Sequence, residues 1–198
     1  MRAAAGAAAL LALLWTGAVA GAAVGLQIHS VSLPDRVRVA DGVPDLVING
    51  AGVRKRLFVN VYVAALYLPR KMPFPDAILV DAAPRRLALH VLRDEITAEQ
   101  LLESFRDGLV ANNAPADLAA INAGMKQLDG IFNAVRVVKK GDVILLDYLP
   151  EAGTRVVVAG QVRGAIPGAD FNRALMKIWL GEKPVDPDLK KALLGGAS

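Results

Sequence analysis

Hydrophobic and polar positions change rhythm several times along the chain, and each change marks an element. The segments IHSVSLPDRVRVADG and VPDLVING alternate in short runs, broken by Pro34, Asp35, Asp41–Gly42 and Asn49–Gly50. Alternation with period two between turn residues predicts two or three short strands there. Next comes NGAGVRKRLFVNVYVAALYLP, the longest strand candidate, dense in Val, Phe, Tyr and Leu. Its near-continuous apolar run from Leu57 to Leu68 predicts a strand covered on both faces. PRRLALHVLRDE supplies another strand.

The period then lengthens. Thr97 and Gln100 form a capping box, and Leu101, Leu102, Phe105 and Leu109 recur at helical spacing, so a helix is predicted from about Thr97 to Val110. Asn113 and Pro115 open a second helix with Leu118, Ile121, Met125 and Leu128 on one stripe, antiparallel to the first. GDVILLDYLPEAGTRVVVAGQVRGAI reads as strands turning at Glu151–Gly153 and again near Gly160. A helix with Phe171, Leu175, Ile178 and Trp179 on one side follows, stopped by Gly181 and Pro184, and a short last helix starts at Asp186–Pro187. Strands, two helices, strands and helices in that grouped order predict an α+β fold, an antiparallel sheet with helices on one face.

Composition adds where the chain works and what it excludes. The opening MRAAAGAAALLALLWTGAVAGAAVG has one cation, an uncharged small apolar stretch and an Ala-x-Ala-like end at Ala18–Ala20. That layout predicts a secretory signal peptide over residues 1–20, cleaved after Ala20 or a few residues later, and a periplasmic product without a stable membrane span. The rest suffices for one domain, residues 28–195. With no cysteine in the chain, thiol chemistry and cysteine-metal sites are excluded and stability rests on the core alone. A net charge of +4, carried by scattered pairs such as Arg85–Arg86 and Lys139–Lys140, argues against nucleic acid as a partner.

Candidate chemistry is sparse. No HExxH, nucleophile elbow, phosphate loop or dinucleotide fingerprint occurs, and no cofactor or metal is called for. The two histidines are His29 and His90, and His90 inside LALHVLR reads as a half-buried strand residue. Asp94–Glu95 read as solvated charges before a helix cap. The cluster Arg54–Lys55–Arg56 stands apart. If one strand runs from Arg54 to Tyr62, then Arg54, Arg56, Phe58, Asn60 and Tyr62 share a face. A guanidinium fork and a phenol between apolar walls suit an anionic head with a hydrophobic tail. A charge-guarded strand end is the plainer reading for Lys55 and Arg56.

NGAGVR followed by FVNVYVAALYLP, together with IPGADFNRALMKIWLGEKPVDPDLKKALLG, resembles the bacterial exported branch of the chalcone isomerase-like family, over roughly Ile28 to Gly195. The resemblance implies an open-faced β-sandwich: a large antiparallel sheet covered by a layer of helices, with a ligand cleft between them. It also implies that Arg54 matches the arginine of the family's Gly-x-Gly-x-Arg motif. The enzymes' helix tyrosine does not transfer, since Leu101 or its neighbours stand there, and their strand threonine falls on Tyr62. In the fatty-acid-binding branch the motif arginine and a tyrosine on the next strand hold a carboxylate, and Tyr62 matches that tyrosine. The resemblance therefore implies a non-catalytic protein holding a fatty acid or similar amphipathic anion with Arg54 and Tyr62. Isomerisation of a chalcone-like phenolic enone, with Arg54 catalytic, is one alternative. A haem-binding module using His90 is another.

Overall fold

The computed structural model describes residues 25–196; the predicted leader lies outside them. Its centre is a seven-stranded sheet in the order β11-β10-β9-β6-β5-β4-β3, antiparallel throughout. The strands are β3 (Arg36–Val37), β4 (Leu46–Arg56), β5 (Val59–Leu68), β6 (Arg85–Val91), β9 (Val143–Leu149), β10 (Gly153–Val158) and β11 (Gln161–Ile166). A separate hairpin, β1 (Leu26–Ile28) with β2 (Val31–Leu33), precedes them, and β7 (Glu95–Thr97) pairs with β8 (Val137–Lys139) beside the sheet. The fold is α+β, as the grouped order of elements predicts.

Helices α1 (Pro75–Val80), α2 (Ala98–Asn112), α3 (Pro115–Ala120), α4 (Asn122–Val135), α5 (Ala169–Leu180) and α6 (Pro187–Leu193) make up the helical layer. The main core lies between them and one face of the sheet, with Tyr62, Ala64 and Leu66 of β5 and Leu87, Leu89 and Val91 of β6 meeting Phe105, Phe132, Leu175 and Trp179. Phe105 stands edge-on to both Phe132 and Trp179, at centroid distances of 5.8 and 5.7 Å. The other face is partly covered by Leu33, Val39 and Leu46, which pack on Val63, Ala65 and Tyr67. Both faces of β5 are thus buried, which accounts for its unbroken apolar run.

Local chemistry explains the helix ends that the sequence marks. Thr97 and Gln100 form the reciprocal capping box of α2. Asp186 accepts from the Leu189 amide at the start of α6. The start of α2 meets the end of α4 through Ala98 N–H to Arg136 C=O at 2.7 Å, giving the predicted antiparallel pair.

Four expectations need correction. No strand runs through from Arg54 to Tyr62: the chain turns at Leu57–Phe58, with Arg56 opposite Val59. Both turn residues are apolar, so the usual turn signals were missing. Phe58 is accordingly no wall of a cleft but is fully exposed on the turn. Asn49–Gly50, read as a turn, lies inside β4 at a register shift, where buried Asn49 bonds to Met72 and Leu193. The stripe from Leu118 to Leu128 belongs to two helices that break at Ile121, with neither proline nor glycine to announce it. The short elements α1, β7 and β8 carry too few residues for a readable period.

Candidate functional site

Period two along β4 places Gly50, Gly52 and Arg54 on the helix-covered face, opposite Leu66, Ala64 and Tyr62 of β5. The two glycines are there because α6 lies directly on them. A Cβ at Gly50 would stand 2.1 Å from the Ala192 carbonyl oxygen, and one at Gly52 would stand 2.6 Å from the Ala192 Cβ. Asp186, capping α6, also accepts from the Lys55 amide at 2.9 Å, tying the helix start to the strand. Beyond this seat Arg54 projects from the same face toward α2.

Arg54 is half-buried, and its Nη2 donates to Ser104 Oγ of α2 at 3.2 Å. Its guanidinium carbon lies 5.6 Å from the centre of the Tyr62 ring, a cation–π distance. Its Nε is buried and has no hydrogen-bond partner. Among the described residues Arg54 joins no ion pair. The guanidinium opens onto a groove of about 300 Å³ between the end of β4 and α2, where Arg56, Gln100, Glu103 and Asp107 also stand.

Tyr62 lies one layer further in, beneath the guanidinium, and is 4% exposed. Its hydroxyl oxygen accepts from Trp179 Nε1 of α5 at 2.9 Å. Indole can only donate, so the phenolic proton is left to donate elsewhere. Burial pushes the Tyr62 hydroxyl up to about 12, while the neighbouring Arg54 charge and the Trp179 hydrogen bond hold the rise in check. Tyr62 is therefore a neutral donor at ordinary pH.

The hairpin turn, rather than a straight strand, brings Arg54 and Tyr62 together, since they are direct cross-strand partners. Arg56, two positions along, also lines the groove. Ser104 and Trp179 were not singled out by sequence: Ser104 sits within an amphipathic helix and Trp179 on an apolar stripe, both ordinary there. Leu101 lies in α2 and is buried in the main core. His90 is in register with Val63 and Val143, on the sheet face opposite the Arg54 groove, and burial lowers its pKa. No cluster of potential metal ligands occurs among the described residues. Nor does any helix there have the length and apolarity to cross a membrane.

Comparison with known proteins puts this arrangement in context. A family profile described as chalcone isomerase-like matches residues 25–195. No curated protein matches the sequence. Among solved structures, a fatty-acid binding protein of Arabidopsis thaliana is similar, with 14% identity, a TM-score of 0.64, and coverage of 83% of this chain and 91% of that one. At that identity the likeness is one of fold.

Proposed function

The chain belongs to the chalcone isomerase-like family, and from that premise we propose that it is a non-catalytic, exported binding protein that holds a fatty acid or similar amphipathic anion. The carboxylate lies against Arg54, and Tyr62 donates from beneath. The observation that carries this reading is the state of Arg54: a half-buried cation bonded through Nη2 to a neutral hydroxyl, with its Nε enclosed and unpartnered. Glu103 and Asp107 line the same groove but neither forms an ion pair with Arg54, so the half-buried guanidinium keeps donors free for a bound carboxylate. A guanidinium offers that carboxylate two parallel donors. The fatty-acid class is supported by the similar fold of the Arabidopsis fatty-acid binding protein. Export to the periplasm is supported by the leader-like sequence of residues 1–20.

The groove at Arg54 has a polar lining, and the apolar residues start one layer deeper with Tyr62, Phe105 and Trp179. A hydrocarbon tail entering there passes between α2 and the sheet, so binding includes a parting of that seam. The isomerase alternative asks for groups that manage protons beside Arg54. Leu101 provides none and Tyr62, raised to about 12, stays protonated at neutral pH, which leaves only the groove carboxylates Glu103 and Asp107 for that role.

The test is a titration of delipidated protein with a long-chain fatty acid, followed by calorimetry, for wild type and Arg54→Ala. The expected loss is about 2–5 kcal/mol of binding free energy, as for a desolvated charge contact. Equal affinities would remove Arg54 from the site. Stereoselective closure of a chalcone above its spontaneous rate would instead favour the enzyme.

A further inference from the structure

Among the described residues no large apolar side chains are as exposed as Leu57 and Phe58, at 88% and 102%, and Val59 beside them is 50% exposed. They form the two-residue turn between β4 and β5 at one end of the sheet. Leu57 has φ 55°, a left-handed conformation. Two-residue hairpin turns place glycine or asparagine at such a position, because a side chain with bulk beyond Cβ is strained there. Folding by itself thus favours a small or polar residue where the chain carries leucine, and then phenylalanine, facing water.

The same hairpin concentrates positive charge. Arg54, Lys55 and Arg56 directly precede the turn, Lys55 and Arg56 are exposed, and no carboxylate occurs from Arg54 to Asn60. Neighbouring turns at this end expose Arg93, Lys139 and Lys140 alongside Asp94 and Glu95, and Asp186, Asp188, Glu103 and Asp107 flank the base of the hairpin, Asp186 being engaged by the Lys55 and Leu189 amides; within the hairpin segment itself every charge is positive. An apolar tip with the exposed cations Lys55 and Arg56 directly beside it matches the chemistry of an anionic lipid surface: the side chains enter the acyl boundary and the two cations meet headgroup phosphates. A two-residue knob falls far short of the roughly 800 Å² that each partner buries in a standard protein interface. A bilayer sets no such minimum.

We propose that the Leu57–Phe58 turn is a membrane-docking tip that inserts into bilayers containing anionic phospholipid, with Lys55 and Arg56 on the headgroups. Arg56 also lines the Arg54 groove, so docking holds the mouth of that groove at headgroup level. The inference stands on the hairpin and holds whatever the groove binds.

The absence of cysteine makes the test direct, because Phe58→Cys creates a single labelling position in the full chain. A polarity-sensitive fluorophore at that position should shift to the blue and brighten several-fold with vesicles of phosphatidylcholine and phosphatidylglycerol. The same label at Glu151→Cys, in the exposed β9–β10 turn at the other end of the sheet, should not respond. Position-specific readout separates the tip from any lipid contact made by residues 1–24. Lys55→Gln and Arg56→Gln should each weaken partition about fivefold, the effect of one cation near an anionic surface. The proposal is overturned by a silent label at position 58, by equal responses at 58 and 151, or by an equal response to neutral vesicles. Brightening at 58 with protein concentration, in the absence of lipid, would assign the tip to contact between copies and equally overturn it.

Discussion

At the scale of single residues, the proposed site is built on Arg54 and Tyr62 with Trp179 beneath, stacked in that order from the groove inward. Trp179 is fully buried and its indole donates to the Tyr62 hydroxyl. Tyr62→Phe keeps the ring under the guanidinium but leaves that indole donor unpaired. Stranding a buried donor costs about 1–3 kcal/mol, so the urea midpoint should fall correspondingly. Fatty-acid affinity should fall as well if the phenol donates to the carboxylate. A stability loss with unchanged affinity would make Tyr62 a support for Arg54 and not a ligand contact. Arg54 could be picked out in the sequence because a motif carries it. The stack below could not, because tryptophan on an apolar helix face is ordinary core.

At the scale of elements, the spacing Gly50-x-Gly52-x-Arg54 is a seat for a helix followed by the candidate site. Glycine removes the side chains that would lift α6 off β4, and α6 in turn fastens the end of β4 through Asp186 and the Lys55 amide. Gly50→Ala pushes a methyl group into the backbone of α6, since the Ala192 carbonyl would be 2.1 Å away. Overpacking of this kind costs about 1–3 kcal/mol and should lower the denaturation midpoint. Gly130→Ala is the matched control: it lies exposed in α4, a Cβ there meets nothing within 4 Å, and it should gain roughly 0.5–1 kcal/mol. If Gly50→Ala behaved like the control, the seat would not be tight.

At the scale of the whole molecule, the two faces of the sheet carry different loads. The helix face holds the main core and the groove. The opposite face holds a buried charge network in which Asp147, with no exposed side-chain area, receives Arg86 and Arg155. His90 and Tyr67 lie on this face too. Burial lowers the His90 pKa, so the folded state resists its protonation; stability from this source is present above the ordinary value of 6.5 and is lost as pH falls below it. Burial raises Tyr62 and Tyr67 from 10.0 to about 12, so their contribution is present below pH 10 and is lost as pH rises from 10 through about 12. Stability against pH should therefore decline on both sides of a neutral plateau. His90→Gln should reduce the part of the acid limb between pH 6.5 and 5. An unchanged limb would show that His90 titrates the same folded and unfolded.

The sequence by itself determined the class of fold, because helical and strand periods alternate in grouped blocks, and it determined the starts of α2 and α6, because their capping residues Thr97 and Asp186 act within one turn. It also marked Arg54, through the resemblance of its Gly-x-Gly-x-Arg stretch to the family motif. Tertiary structure decided the rest. The turn at Leu57–Phe58 carries no turn chemistry and exists because β4 and β5 pair in the register that buries both faces of β5. That register, and not a shared strand face, sets Tyr62 beside Arg54. Ser104 and Trp179 join them only because α2 and α5 pack on that face of the sheet, a contact between residues 50 and 117 positions apart that no local pattern encodes.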